Sequence, residues 1–326
     1  MRVPLLPPLF SRAVILSRAV IPRAAIPRAV VPRAVIPRMG LTALVVVVAA
    51  IASGCGLFGV DLGVEGADSR WVDIDNQNGR SVLLVEPSDR SDSSDPDPVP
   101  LVINLHGLGS DAEEMARLAT WPEAARDHGL VVAFPQGVEE SWNAGRCCGA
   151  AVEQNVDDVA FLDAVVAQMV AEEGVDPEQV YLTGYSNGAM MSYLYSCMRA
   201  DTLAGVASVA GTNFSDCEPS QPVRFLQISG EEDPVVPVLG GKSSLPGLPQ
   251  VPPVEGSLLA VGAASGCTGE PTGFELGGVA SFQGQGCDPG SDVRYDVIGG
   301  LGHEYPSLVN SPDYVAVDKI LEFWGL

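Results

Sequence analysis

Apolar residues in this chain fall into two kinds of run. Short continuous runs occur at 81–86 (SVLLVE), 100–106 (PLVINLH), 130–135 (LVVAFP), 180–183 (VYLT), 205–209 (GVASV), 223–229 (VRFLQIS) and 293–298 (VRYDVI). Their length and β-branched content predict strands. Between several of them, apolar positions recur three and four residues apart. The longest such stretch, 156–173, carries Val156, Val159, Ala160, Leu162, Ala164, Val165 and Met169, with Asp157 and Asp158 in its first turn. That pattern predicts an amphipathic helix whose N-terminus is favoured by acidic charge. Residues 111–119, 188–199 and 314–324 read as three further helices. Strands that are apolar throughout need cover on both faces, so their alternation with helices predicts an α/β fold built on a mainly parallel sheet. Two loops interrupt the pattern: an acidic Ser/Asp/Pro run at 87–98, and a Pro/Gly-rich stretch at 234–253. The second reads either as a lid or pocket rim, or as a plain surface loop.

The first 54 residues follow a different rule. Residues 12–38 repeat a Pro-Arg-Ala-Val-Ile unit, with Arg every fifth position from Arg18 to Arg38. A period of five suits neither a helix nor a strand, and the prolines block helix in any case. The segment is either a long basic leader or untranslated sequence ahead of a true start at Met39. An apolar run at 41–52 (LTALVVVVAAIA) then leads to Ser53, Gly54 and Cys55, the pattern of an export signal. Cys55 is a candidate lipidation site and membrane tether, with ordinary signal-peptidase cleavage nearby as the alternative. The expected organisation is an export leader at 1–54, a Gly-rich tether at 55–70 and a single catalytic domain at 71–326.

Charge divides at the same place. The chain has 18 Lys and Arg, 41 Asp and Glu and a formal charge of −23. Seven of the arginines precede Met39 and no acid precedes Asp61, so without the leader 11 basic residues face 41 acidic ones, a net −30. A body this acidic repels phosphate backbones, which excludes nucleic acid as a partner. Cysteine usage agrees with export. Apart from Cys55 there are six: Cys147, Cys148, Cys197, Cys217, Cys267 and Cys287. In an oxidising compartment an even set predicts three disulfides. Cys267 and Cys287 flank a Gly-rich turn region and are expected to pair. The other four are expected to form two bridges that do not join the neighbours Cys147 and Cys148. No histidine lies near any of them at zinc spacing, so no metal or cofactor is expected.

The chemistry is carried by Gly184-Tyr185-Ser186-Asn187-Gly188, placed between the strand VYLT and a helix. This is the context of a nucleophile elbow, in which a strained turn lifts the Ser hydroxyl above a sheet. In α/β-hydrolases the triad runs Ser, acid, His along the chain. Of the three histidines, His106, His128 and His303, only His303 follows Ser186, on a Gly-rich loop after a strand. His106 ends a buried strand and is expected to shape the neighbouring loop; His128 reads as a surface residue at a helix end. Asp233 follows the strand VRFLQIS through Gly230-Glu231-Glu232 and precedes Pro234, which puts a carboxylate at the C-terminal sheet edge. Glu232 is the reserve acid. The backbone N–H of Asn187 and that of Leu108, in the loop His106-Gly107-Leu108-Gly109, are the expected oxyanion donors.

With these residues in place, the chain resembles the exported polyhydroxybutyrate depolymerase/feruloyl esterase family of α/β-hydrolases. The resemblance runs through LVINLHGLGS, WNAGRCCG, VDDVAFLDAVV, VYLTGYSNGAMMSYL, ISGEEDPVVP and GGLGHEYP, in family order over roughly 78–326. It implies an α/β-hydrolase fold with helices on both faces of the sheet, Ser186 as nucleophile, Asp233 as acid, His303 as base and no cofactor. It also implies that Trp142 and Asn143 line the mouth of the site, or else pack in the core, and that Tyr305 forms an aromatic wall. The family commonly has His-Thr-Trp-Pro where this chain has His303-Glu304-Tyr305-Pro306, so the acyl pocket is expected to differ. Family members that attack solid polyester append a further domain, and this chain ends at Leu326. Feruloyl or acetyl esters on xylan are therefore the expected substrates, with polyhydroxybutyrate as the alternative. A serine peptidase and a non-catalytic surface lipoprotein are the rival readings. Oligomeric state is not readable from the sequence.

Overall fold

A computed structural model describes residues 60–91, 98–217 and 219–326. The leader at 1–54, the alternative start at Met39, Cys55 and most of the 87–98 loop lie outside the described residues. All described residues fall within one compact unit, Leu57–Leu326.

Ten strands form one sheet. In chain order they are β1 (Ala67–Asp73), β2 (Ser81–Pro87), β3 (Val99–Leu105), β4 (Val131–Pro135), β5 (Val175–Tyr185), β6 (Gly205–Val209), β7 (Arg224–Gly230), β8 (Gly269–Leu276), β9 (Val279–Gln285) and β10 (Asp292–Ile298). Their spatial order is β1-β2-β4-β3-β5-β6-β7-β10-β9-β8. The six strands from β4 to β10 run parallel. An antiparallel pair extends the sheet on each side. The helices are α1 (Ser88–Ser91), α2 (Ala112–Leu118), α3 (Trp121–His128), α4 (Gly149–Glu153), α5 (Asp158–Glu172), α6 (Asn187–Arg199), α7 (Val254–Ala264) and α8 (Ala316–Trp324).

Strand residues alternate between two cores, which accounts for their continuous apolar character. Val102, Val132 and Phe134 face α2, α3 and α8, together with Trp121, Ile320 and Trp324. Leu101, Ile103, Leu105 and Val131 face the other way, onto Phe161, Leu162 and Met169 of α5 and Met190 and Met191 of α6. Local capping agrees with the sequence. The Asp111 side chain accepts the Glu114 N–H at the start of α2, and Asp157 accepts that of Ala160 at the start of α5. No described helix is long and apolar enough to cross a membrane.

Two expectations need correction. The tether was expected to reach residue 70, but β1 begins at Ala67 and pairs along its length with β2. Val60 and Leu62 already pack on the core. The strand ADSRWVD is an outer strand whose positions are at most half-buried, so it carries a polar run, Asp68-Ser69-Arg70, and lacks the continuous apolar run of its neighbours. The second correction concerns the cysteines. Cys197 at the end of α6 bonds Cys217 in the loop after β6, and Cys267 bonds Cys287. Cys147 and Cys148 then bond each other. Both are buried in a tight turn, where Ala144 N–H donates to Cys147 O and Cys148 N–H to Trp142 O. That turn holds them together and away from the other pairs.

Candidate active site

Ser186 stands between β5 and α6 with φ 54° and ψ −114°, a conformation costly for a residue with a side chain. The turn is tight because of the two glycines around it. A Cβ on Gly184 would lie 2.5 Å from the Gly188 backbone, and one on Gly188 would lie 2.3 Å from Leu105 O on the neighbouring strand. Only glycine at both places lets α6 start directly over the end of β3. Ser186 N–H donates to Val209 O, which fixes the elbow to β6.

The parallel strands deliver three groups to the same sheet edge. The loop after β10 brings His303, whose Nε2 lies 2.8 Å from Ser186 Oγ. The loop after β7 brings Asp233, whose Oδ2 lies 2.7 Å from His303 Nδ1. The other Asp233 oxygen accepts the N–H groups of Val235 and Val236, both at 2.8 Å. The carboxylate is buried and engaged by three hydrogen bonds, so it is held in one orientation. Glu232, the reserve acid, is exposed, and its N–H is tied to Leu301 O. Tyr185 backs the imidazole: its ring centroid lies 5.3 Å from that of His303, and its hydroxyl donates to His303 O at 2.9 Å. Burial raises the Tyr185 pKa, so the phenol stays a donor.

Asn187 is the first residue of α6, so its N–H has no partner inside the helix and adds to the positive end of the helix dipole beside Ser186. Leu108, in the loop after β3, has an exposed side chain. His106 beneath it is fully buried. Its Nε2 receives the Gly137 N–H at 3.0 Å, which leaves the proton on Nδ1 to donate to Gly107 O at 2.8 Å. Burial lowers the His106 pKa and keeps this neutral form. His128 ends α3 and is exposed.

The residues expected to line the substrate mouth are placed otherwise. Trp142 is 0 % exposed, its indole N–H donating to His106 O. It lies behind the loop after β3, because the one polar group of its side chain finds an acceptor there. Asn143 directs its polar groups inward: N–H to Asp158, Nδ2 to Val156 O, and Oδ1 accepting from Gly145 N–H. Tyr305 is 2 % exposed. Its hydroxyl accepts the Trp121 indole N–H, and its ring packs edge-on against Tyr185. Sequence reasoning missed Tyr185, although its place inside the elbow motif was a usable signal. It also missed the Asn187 side chain, whose partners come from a distant loop.

The fold is that of an α/β-hydrolase, and the matches to known proteins agree. Residues 92–251 match the phospholipase/carboxylesterase family. The chain resembles the feruloyl esterases. It is 30 % identical to feruloyl esterase B of Piromyces equi, over 63 % of this chain and 39 % of that protein. It is also 30 % identical to feruloyl esterase C of Emericella nidulans, over 52 % of this chain and 60 % of that one. The acetyl xylan esterase of Aspergillus awamori shares the fold, with TM-score 0.57 and 13 % identity over 79 % of this chain and 98 % of that one. The chain thus spans less than two thirds of the length of these two curated relatives.

Proposed function

We propose that this protein is an exported serine carboxylesterase that acts on feruloyl or acetyl esters of xylan. The observation that carries the reading is the hydrogen-bonded series Ser186–His303–Asp233 at the C-terminal edge of the sheet. Ser186 attacks the ester carbonyl while His303 Nε2 takes its proton. Asp233 orients the imidazole and stabilises its cationic form. The N–H groups of Leu108 and Asn187 receive the charge on the tetrahedral oxygen. The alcohol leaves with the proton from His303. Water, deprotonated by the same imidazole, then releases the acid and restores Ser186.

The substrate class rests on the likeness to feruloyl esterases and on a further relative from Neocallimastix patriciarum, a bifunctional acetylxylan esterase/xylanase that is 27 % identical over 48 % of this chain. Action outside the cytoplasm is supported by three disulfides and by the leader, with Cys55 as the proposed lipid anchor. Ser186→Ala is expected to abolish turnover of p-nitrophenyl acetate, and full activity in that variant would refute the assignment. Rates on methyl ferulate and acetylated xylan are expected to exceed those on polyhydroxybutyrate film and on peptides. The reverse order would assign a polyester depolymerase or a peptidase.

A further inference from the structure

We propose that Trp142 is the positioning residue that holds the two oxyanion N–H groups in register, bracing one through His106 and the other through the Asn187 side chain. This rests on the esterase reading above and concerns how the same site is kept in shape.

The brace has two arms. On one side, the Asn187 amide grips the Trp142 backbone in both directions: Trp142 N–H donates to Asn187 Oδ1 at 2.8 Å, and Asn187 Nδ2 donates to Trp142 O at 3.1 Å. The N–H of Asn187 is the first proposed oxyanion donor. On the other side, the Trp142 indole N–H donates to His106 O at 2.9 Å, and the two rings lie 5.0 Å apart. The His106 Nδ1–H then donates to Gly107 O. That carbonyl belongs to the same planar peptide as the Leu108 N–H, so fixing the carbonyl direction fixes the N–H in the opposite sense. The Leu108 N–H is the second proposed donor. One residue, through its indole N–H on one side and its backbone on the other, therefore joins two loops, after β3 and after β4, to the start of α6.

Trp142 is itself held from behind. Its ring stacks on Phe161 with centroids 6.5 Å apart, and the Arg80 guanidinium lies 3.5 Å from the Phe161 centroid. Arg80 pairs with the buried Asp158 at 2.8 Å, and Asp158 accepts the N–H of Asn143, the next residue along. Core packing alone requires the ring but none of the three hydrogen bonds. Those bonds all end on residues that carry or orient the oxyanion donors.

The test removes the indole N–H while keeping the ring. Two variants of the full enzyme serve: Trp142→Phe, and Trp142 replaced by β-(3-benzothienyl)alanine, which puts sulfur where the N–H was and keeps the shape if the Phe variant fails to fold. For p-nitrophenyl acetate, kcat is expected to fall about 10- to 100-fold with KM within about twofold. The Ki of a trifluoromethyl ketone, which forms a tetrahedral adduct on Ser186, is expected to rise by the same factor. Unchanged kcat in the folded benzothienyl variant, or a fall in kcat with an unchanged ketone Ki, would overturn the proposal. Ser186→Ala assayed in parallel separates the two levels, because activity surviving there rejects the esterase reading whatever Trp142 does.

Discussion

A buried imidazole with both nitrogens committed ties the site to pH. His106 accepts from Gly137 N–H through Nε2 and donates to Gly107 O through Nδ1. A second proton on Nε2 would face an N–H that already points at it. Burial also disfavours the cation, so the folded-state pKa lies below the ordinary histidine value. The unfolded chain therefore takes up the proton first on acidification. The stabilising effect is complete above the unfolded value of about 6.5, and it is lost as pH falls through that value toward the lowered folded one. The slope for one such group approaches about 1.4 kcal/mol per pH unit. Thermal melts between pH 7.5 and 5 are expected to show this decline, and His106→Gln, which cannot titrate, is expected to flatten it. An unaltered slope in that variant would assign the acid sensitivity to other groups. Tyr185 and Tyr305 show a second residue-scale effect. They form layers behind His303, so the buried aromatic residue after Glu304 supports the imidazole indirectly, through Tyr185.

At the scale of elements, the parallel centre of the sheet does the positioning and the outer hairpin does not. The segments that follow β5, β7 and β10 carry Ser186, Asp233 and His303, whereas β8 and β9 lie at the far edge, joined through Gly277 and Gly278. The Cys267–Cys287 bond ties the open end of that hairpin across 20 residues of sequence. Closing a loop of this size stabilises by about 3 kcal/mol through the unfolded chain. Cys267→Ser with Cys287→Ser is thus expected to lower Tm by several degrees and leave kcat within about twofold. A large loss of kcat would show that the hairpin does reach the site. The same division explains what the sequence made legible. Central strands are buried on both faces and read as continuous apolar runs, and the candidate triad sits on the segments that follow them, so order along the chain was enough to find its candidates. β8 carries Gly269, Thr272 and Gly273 on an exposed edge, and α7 carries Gly256 and Gly262 inside its helix, so neither announced itself. The roles of Trp142 and Asn187 were illegible for another reason: their partners are 36 and 45 residues away in sequence, and only packing brings them together.

At the scale of the molecule, charge is the dominant feature. After residue 54, 11 basic residues face 41 acidic ones. Nine of those eleven, Arg70, Arg80, Arg90, Arg117, Arg126, Arg146, Arg199, Arg294 and Lys319, are already engaged in ion pairs. Arg224 is bonded to Trp324 O at the end of α8. The local pairs neutralise their own partners and leave the excess of carboxylates uncompensated, so the field outside the body is negative. Two consequences follow from screening, whose length is about 10 Å at 0.1 M salt. Self-repulsion among the carboxylates weakens as salt rises, so Tm is expected to increase between about 10 mM and 0.5 M NaCl. The same field opposes the approach of an anionic ester and leaves a neutral one alone. Over that range the KM for p-nitrophenyl hemisuccinate is therefore expected to fall several-fold, while that for p-nitrophenyl acetate stays flat. Parallel salt responses for the two esters would mean that the charge acts on the stability of the body and not on what reaches Ser186.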